Sequence, residues 1–382
     1  MAHLRKRGNS WQICIEAGVD PATGKRKRIY KTVNGTKREA EKVMHQLAHK
    51  VETGQYIKPS EITLKEYLLK WIKNYGENNL APRTYESYKR IIKNHLIPFL
   101  GQLKMKEIKP MHIVDYQNYK IREGRLDGKG GLSKRTVQYH HRILSEALKH
   151  AVMPYRILES NPCASVSAPV PDKPEINPLD QEQLTELLKA AKNENEWTYN
   201  LIYVAAFTGM RRGEILALRW KDVDFISQKL HVRQGVVNVD GQGLIFKKPK
   251  TKSSIRPIDV DNDVIAILKK IKKHQTENRL KIGPAYDNKH NLVFTHEDGA
   301  PVLPQLATRR FNQAAKKANL EGFRFHDLRH THATMLLKAG VHPKVVQERL
   351  GHSSITITID TYSHVLPSMQ KEALEKLKMR LK

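Results

Sequence analysis

The sequence predicts a multidomain protein that is mainly α-helical with small β-sheets, and three features support this. Two strand patterns stand at the start of the chain. Long segments follow in which apolar residues recur every three or four positions, as in helices, and a proline-rich stretch divides this helical part. The 382 residues also exceed one ordinary domain of about 150 residues. We therefore expect a small sheet with one helix at 1–56, a helical segment at 60–158, a linker at 159–178 and a mixed α/β segment at 179–382.

The first segment has the pattern of a basic β-hairpin followed by a helix. Residues 11–17 alternate as a strand, a turn follows, and residues 26–33 return as a second strand. Thr36 and Glu39 form a capping box that begins the helix. Strands of this size can enter a DNA groove, and a simply solvated hairpin is the alternative. The candidate DNA-binding residues here are Lys25, Arg26, Lys27, Arg28 and Lys31.

The second segment is predicted to be a four-helix unit. Thr63 and Glu66 form another capping box, and three further helices are expected around residues 83–99, 110–123 and 133–152. Its polar faces carry candidates for contacts with the backbone of duplex DNA, although ordinary surface charge is the alternative for each one. These candidates are Lys89, Arg135 and Arg142.

A proline-rich stretch marks the next boundary. Prolines at 162, 169, 171, 174 and 178 are incompatible with a helix or a central strand, so an extended linker is expected. Asp180 is then predicted to cap a helix. Helical patterns follow on both sides of a strand-rich insert at about 223–260, which contains a turn at 240–243.

Composition limits the partners and the location. Lys and Arg number 67 against 39 Asp and Glu, a formal net charge of +28 that predicts a polyanionic partner. We expect no membrane partner and a cytoplasmic location, because the chain has neither a run of about 18 apolar residues nor a signal-peptide pattern. Cys14 and Cys163 stand far apart, which indicates neither a disulfide framework nor a cysteine zinc site.

Three motifs in the last segment carry residues suited to chemistry on a phosphate. "TGMRRGEILALRW" (208–220) places arginines at a helix start, where a guanidinium can face an anion, although a salt bridge with Glu214 explains part of the pattern equally well. "FHDLRHTHATMLL" (325–337) puts His326 and Arg329 on one helical face. "RLGHSSITITIDTYSHV" (349–365) adds His352 and Tyr362.

The second motif also contains the H-x-x-x-H spacing of zinc proteases, in His326 and His330. Position 327 is Asp, one methylene shorter than the glutamate that this chemistry uses, and no third ligand is set apart. We therefore favour a phosphate site, expect no metal and no cofactor, and assign His330 and His332 capping, packing or helix-surface roles.

Taken in order, the motifs resemble those of the tyrosine recombinase or phage integrase family. An arginine is followed by H-x-x-R, then L-G-H, then a tyrosine ten residues on, and the resemblance covers the whole chain. It implies an arm-type DNA-binding domain at 1–56, a SAM-like core-binding domain at 60–158 and a catalytic domain at 179–382. The basic hairpin is similar to integrases of temperate phages and conjugative transposons from Gram-positive bacteria.

The resemblance also implies the roles of individual residues. Tyr362 is the expected nucleophile, with His326 as the base for a phenol whose pKa is ordinarily near 10. Arg211 is preferred to Arg212 because it directly follows T-G-M. A lysine on a β-hairpin at 247–260 is expected to protonate the leaving group, with Lys250 preferred and Lys252 as the alternative. The implied catalytic set is Arg211, Lys250, His326, Arg329, His352 and Tyr362.

The implied function is site-specific recombination through a 3′-phosphotyrosyl intermediate, which integrates and excises a mobile element. The implied partners are double-stranded attachment-site DNA and a homotetramer in the synaptic complex, with an excisionase and a DNA-bending host factor as accessory candidates. An amphipathic pattern at 368–382 is expected to pack on its own domain or to exchange between protomers. The alternatives are a DNA-binding protein of this fold without activity and a type IB topoisomerase-like nicking enzyme.

Overall fold

The computed structural model describes residues 2–19, 24, 26–53, 56–57, 60–172, 178–249, 252–362 and 378. The chain forms two compact units, residues 1–172 and 173–382, each with its own hydrophobic core. The boundary between them falls inside the segment predicted as a linker. No helix within the described ranges is long and apolar enough to cross a membrane.

The chain begins with a three-stranded antiparallel sheet that is covered on one face by a helix. The elements are β1 (Ala2–Arg7), β2 (Ser10–Val19), β3 (Arg26–Asn34) and α1 (Lys37–Glu52), with the strands in chain order. Ile13, Ile15 and Ile29 are buried under apolar side chains of α1. The predicted hairpin and the Thr36 capping box are confirmed. Strand β1 was not predicted, because its sequence AHLRKR contains a single large apolar residue.

The two faces of β3 present different basic residues. Successive side chains of a strand point to opposite faces, so Arg26 and Arg28 lie on the open face of the sheet. Lys27 and Lys31 lie on the same side as Ile29, which α1 covers, although both lysines are exposed at its margin. Lys25 lies outside the described residues.

The rest of the first unit is helical, as predicted. The helices are α2 (Leu64–Trp71), α3 (Glu77–Asn79), α4 (Pro82–Ile91), α5 (Ile97–Leu100), α6 (Pro110–Glu123) and α7 (Lys134–Val152). The π-helical turns Ile72–Gly76 and Ile92–Leu96 join α2 to α3 and α4 to α5, which gives four helical segments. Cys163 and Val166 are buried in the same core, although they lie in the segment predicted as a linker. Lys89, Arg135 and Arg142 are exposed.

The second unit is mainly helical with two small sheets. Its elements are α8 (Gln181–Glu194), α9 (Glu196–Thr208), α10 (Arg212–Ile215), β4 (Val223–Asp224), β5 (Lys229–Val232), β6 (Gly235–Val239), β7 (Gly243–Lys247), β8 (Arg256–Asp259), α11 (Asn262–Ile282), α12 (Pro304–Lys317), α13 (Asp327–Lys338), α14 (Pro343–Leu350) and α15 (Ile355–Tyr362). The strands form a β4-β5-β8 sheet and a β6-β7 hairpin. Asp180 caps α8, and the predicted strand-rich insert is confirmed.

Among the described residues of 247–260, the expected β-hairpin is not formed. Strand β7 pairs with β6, whereas β8 pairs with β5, so the described part of this segment connects two different sheets. The register places Ile258 opposite Leu230, and these residues are 1% and 0% exposed. Burial of this apolar pair in the core of the unit favours the longer-range strand pairing over a local hairpin.

A buried hydrogen bond in the helical unit allows a test of its packing. The Tyr116 hydroxyl lies 2.8 Å from Nδ1 of His140, and both residues are 1% exposed. Substitution Tyr116→Phe leaves the buried imidazole nitrogen unpaired, so we expect a loss of about 1–3 kcal/mol in unfolding free energy. Tyr119→Phe, at a less buried position of the same helix, is the matched control for urea unfolding. Equal stability of the two variants would contradict this assignment.

Candidate active site

The first motif forms a tight connection between α9 and α10. Helix α9 is followed by Gly209, and Arg211 is the N-cap residue of α10. The Glu214 carboxylate accepts a hydrogen bond from the backbone nitrogen of Arg211 at 2.9 Å and another from its Nη1 at 2.8 Å. The salt bridge considered from the sequence is therefore present, and it holds the Arg211 side chain, which remains 38% exposed.

Glu214 also binds a second arginine that the sequence did not single out. Arg256 of β8 donates from Nη1 to Oε1 at 3.3 Å and from Nη2 to Oε2 at 3.0 Å. The two side chains are 5% and 8% exposed. Burial acts to raise the pKa of the Glu214 carboxyl, but the charges of Arg256 and Arg211 outweigh burial and lower that pKa overall. One ionised carboxylate therefore faces two guanidinium charges.

The C-terminal turn of α14 supplies the remaining acceptors. Three consecutive carbonyl oxygens accept hydrogen bonds here: Arg349 O from Arg256 Nε at 2.5 Å, Leu350 O from Arg329 Nη2 at 2.6 Å, and Gly351 O from Arg211 Nη2 at 3.3 Å. The last carbonyls of a helix have no partner within it and form the negative end of its dipole. The turn thus gathers three arginines from three separate parts of the chain.

Arg329 links this turn to the end of α9. Its Nη1 donates to the Gly209 carbonyl at 2.7 Å, and the residue is 3% exposed. Gly209 and Gly351 both adopt left-handed backbone conformations, with φ of 64° and 68°. A Cβ at position 209 would lie 2.7 Å from the His332 ring, and one at 351 would lie 2.9 Å from Arg256 Nη1. Glycine is needed at both positions, because side chains are strained at these angles and would collide.

Two of the predicted histidines lie within the field of these arginines. His326 is the N-cap residue of α13, and its ring stands perpendicular to that of His330 with centroids 5.2 Å apart. His352 follows Gly351, with Nδ1 2.9 Å from the Thr358 hydroxyl.

Burial and nearby positive charge set the protonation state of both rings. Burial, together with the smaller effects of His330, Arg329 and Arg211, lowers the pKa of His326 to about 4. Burial likewise lowers the pKa of His352 to about 3, with added effects of Arg329 and Arg211. Both rings are therefore neutral at neutral pH, and the structure brings Arg211, His326, Arg329 and His352 together.

Of the two remaining predicted residues, the structure places the backbone of Tyr362 but does not describe Lys250. Tyr362 is the last residue of α15, a helix that packs on α14, but its side chain lies outside the described part of the structure. Lys250 lies outside the described residues altogether. The alternative, Lys252, begins the short turn Lys252–Ser254, and its side chain is likewise not described.

Sequence reasoning did not single out Arg256 or Arg349. The available signal for Arg256 was its position in β8, two residues before Ile258, so that both side chains point to the buried side of the strand. A charged side chain on that side needs a partner. His332 is 7% exposed and bonded at both ring nitrogens, consistent with the packing role predicted for it. Among the residues that the structure describes, no group of three or more His, Cys, Asp or Glu could hold a metal ion.

Comparisons with known proteins identify the family of this chain. The family model described as "Phage integrase family" matches residues 177–369, and the "Phage integrase, N-terminal SAM-like domain" matches residues 63–121. A "Tyrosine recombinase XerC-like" protein of Caldanaerobacter subterraneus subsp. tengcongensis is 30% identical, over 96% of this chain and 95% of the relative.

A second relative and a solved structure extend these matches. The "ICEBs1 integrase" of Bacillus subtilis is 28% identical over 99% of both chains. The structure of the Tn1549 transposon integrase in complex with transposon right end DNA has a TM-score of 0.67 and 24% identity, and the match covers 83% of this chain and 100% of that one.

With this fold, the family match and the relatives identify a tyrosine-type site-specific recombinase, an enzyme of DNA strand transfer. The chain belongs to the phage integrase family.

The buried carboxylate is expected to be essential for stability. Glu214→Gln removes the compensating charge from buried Arg256, and breaking a buried pair in this way costs about 3–5 kcal/mol of unfolding free energy. The exposed pair of Glu186 with Lys189 provides the control Glu186→Gln, for which about 1 kcal/mol or less is expected. Urea unfolding of both variants measures the difference. A Glu214→Gln chain as stable as the control would refute the structural role of this pair.

The buried histidines predict a pH dependence of stability. In the folded chain the pKa values of His326 and His352 are about 4 and about 3, below the ordinary 6.5. The unfolded chain therefore binds more protons between about pH 4 and 6.5, so stability rises with pH across this window. Denaturation at several pH values should show a shallower slope for His352→Gln. The control is His274→Gln, at an exposed position, and an equal loss of slope there would contradict the assignment.

Proposed function

We propose that this enzyme cuts and rejoins DNA at attachment sites through a 3′-phosphotyrosyl intermediate, and that it thereby integrates and excises a mobile element. The observation that carries the proposal is the convergence of Arg211, Arg329 and His352 at the C-terminal turn of α14. His326 lies close enough to both arginines for their charges to lower its pKa. Positive charge exceeds negative charge there, which suits a phosphate diester. The helix that begins four residues after Gly351 ends at Tyr362.

The proposed reaction is a displacement at phosphorus with the tyrosine oxygen as the nucleophile. Tyr362 attacks the scissile phosphate, the bond to the 5′ oxygen breaks, and a 3′-phosphotyrosyl linkage forms. His326 accepts the phenolic proton, and Lys250 gives a proton to the leaving 5′ oxygen, which departs as a hydroxyl. Arg211 and Arg329 stabilise the charge that develops on phosphorus. A 5′ hydroxyl from another strand reverses the step, which conserves the bond energy without ATP or metal.

The state of the two histidines supports these roles. A neutral ring is needed at position 326 to accept a proton. Burial, aided by the nearby positive charges of Arg329 and Arg211, keeps that ring neutral before DNA binds. A bound phosphate brings negative charge close to the cluster, which should raise the pKa of His326 and strengthen it as a base. His352 has a hydrogen bond through Nδ1 to Thr358, which orients the ring for donation to a phosphate oxygen from its other nitrogen.

We propose two further DNA-binding surfaces in the first unit. One is the open face of the N-terminal sheet, which carries Arg26 and Arg28. Residues 1–56 would form an arm-type DNA-binding domain, and this face would contact the arm-type sites. The other is the helical region at 60–158, which would bind the core site through the exposed Lys89, Arg135 and Arg142. The alternation of β3 makes Arg26 and Arg28 better candidates than Lys27 and Lys31.

We also propose that the DNA substrate belongs to a mobile element and that several copies of the chain act together. The relatives include the integrase named ICEBs1 integrase and the Tn1549 transposon integrase, whose structure contains transposon right end DNA. We propose that the chain acts as a homotetramer on two duplexes at the bacterial nucleoid. An excisionase and a DNA-bending host protein are the accessory partners proposed for directionality.

Loss of the tyrosine hydroxyl should abolish covalent chemistry while DNA binding remains. Tyr362→Phe is expected to bind attachment-site DNA normally and to form no protein–DNA adduct on a denaturing gel. Tyr199→Phe, a partly buried tyrosine of the same unit, is the matched control and should form the adduct. Adduct formation by the wild-type chain should persist in EDTA. An adduct with Tyr362→Phe would exclude this residue as the nucleophile.

The two faces of β3 allow a charge-matched test of the sheet surface. Arg26→Gln with Arg28→Gln should weaken binding to arm-type DNA and lower its salt dependence by about 0.9 per lost phosphate contact. Lys27→Gln with Lys31→Gln removes the same charge from the other side of the strand and should have a smaller effect. Binding isotherms at several salt concentrations measure both slopes. Equal slopes for the two pairs would rule out the open face as the binding surface.

A further inference from the structure

One arginine side chain fastens the C-terminal turn of α14 to three other elements. Arg349 donates from Nε to His332 Nε2 of α13 at 2.9 Å, from Nη1 to the Asp259 carbonyl of β8 at 2.8 Å, and from Nη2 to the Phe207 carbonyl of α9 at 3.0 Å. Burial lowers the pKa of Arg349, yet a guanidinium remains charged at neutral pH. This single side chain therefore fixes the turn relative to α9, α13 and β8.

The partner histidine is held in one tautomer. Nδ1 of His332 lies 2.8 Å from the Ala206 carbonyl, which can only accept, so Nδ1 carries the hydrogen. Nε2 is then left with the lone pair that accepts from Arg349. Burial lowers the pKa of His332 to about 3, which keeps the ring in this neutral form. The pair of Arg349 and His332 is thus a complete hydrogen-bonded connection from α14 through α13 to α9.

The turn that this pair fixes is the turn whose carbonyls hold the arginine cluster. Leu350 O and Gly351 O are the acceptors for Arg329 and Arg211, and both carbonyls directly follow Arg349 in the chain. A shift of this turn would move both guanidinium groups. A displacement of about 1 Å at a reacting centre can cost roughly 100-fold in rate.

We propose that Arg349 and His332 are positioning residues for strand cleavage, which hold the carbonyls that aim Arg211 and Arg329 at the scissile phosphate. This inference rests on the proposed function. The side chains of Arg349 and His332 bond to each other and to backbone carbonyls, so they act through the turn and not on DNA directly.

Single-turnover cleavage separates positioning from binding. The substrate is an attachment-site duplex nicked next to the scissile phosphate, so that the released fragment diffuses away and religation is prevented. Arg349→Met and His332→Leu should form the covalent adduct at least about tenfold more slowly than wild type. Their affinity for the same DNA should stay near the wild-type value, because the surfaces proposed to bind it are intact.

A conservative variant and a matched control keep the test independent of folding. In His332→Gln, the amide Oε1 can take the place of the imidazole Nε2 and accept the hydrogen bond from Arg349. This variant should therefore recover most of the wild-type rate of adduct formation. Arg310→Met is the control: Arg310 is a partly buried arginine of the same unit that donates to Asn195 at 3.1 Å and lies 5.0 Å from the Trp197 ring centroid. It should cleave at the wild-type rate.

A neutral phosphate analogue tests the link to charge. With a methylphosphonate at the scissile position, less negative charge develops, so the aim of Arg211 and Arg329 matters less. The rate defects of Arg349→Met and His332→Leu should therefore shrink on this substrate.

Several results would overturn the proposal. An undiminished defect on the methylphosphonate, a parallel loss of DNA affinity, or an equal defect in Arg310→Met would each assign these residues a general structural role. If the wild-type chain formed no adduct on any attachment-site DNA, the proposed function would fall, and this inference with it. Adduct formation at wild-type rates by both variants would overturn the positioning role alone.

Discussion

The C-terminal turn of α14 is the constraint on which the candidate site depends. Guanidinium groups repel one another, so Arg211, Arg256 and Arg329 can share a partly buried region only if each has a negative partner. Glu214 serves two of them, and three consecutive carbonyls of the turn serve all three. Carbonyl dipoles carry only partial charge, so the cluster keeps a positive surplus that a phosphate can balance.

Burial and the same positive surplus together determine the protonation state of the histidines. His326 and His352 lie close enough to the arginines for their pKa values to be lowered beyond the effect of burial. Both rings are thus neutral before DNA arrives. Left-handed glycines end α9 and precede His352, and their carbonyls accept hydrogen bonds from Arg329 and Arg211. The left-handed backbone at these two glycines therefore helps to hold the two arginines in place.

Local signals in the sequence predicted local structure well. The capping boxes at Thr36, Thr63 and Asp180 are formed, because their hydrogen bonds join residues only three apart. The candidate arginines and histidines that the structure brings together could be named from their motifs alone. Strand β1 pairs with the adjacent β2 but has a single large apolar residue, so no alternating pattern predicted it. The pairing of β8 could not be predicted because its partner is β5, with β6 and β7 between them in the chain. Helix α15 likewise forms from a β-branched stretch, ITITIDTY, where packing on α14 outweighs propensity.

The sequence by itself determined the multidomain helical architecture, the basic character and the set of candidate catalytic residues, because composition, periodicity and short motifs are local properties. Tertiary structure alone decided which groups hold those residues in place. Arg256 lies 42 residues from Glu214, and Arg349 reaches a carbonyl of α9 that is 142 residues away. Hydrogen bonds over such separations leave no spacing pattern in the chain, so the carbonyls that collect the arginines became visible only in the folded protein.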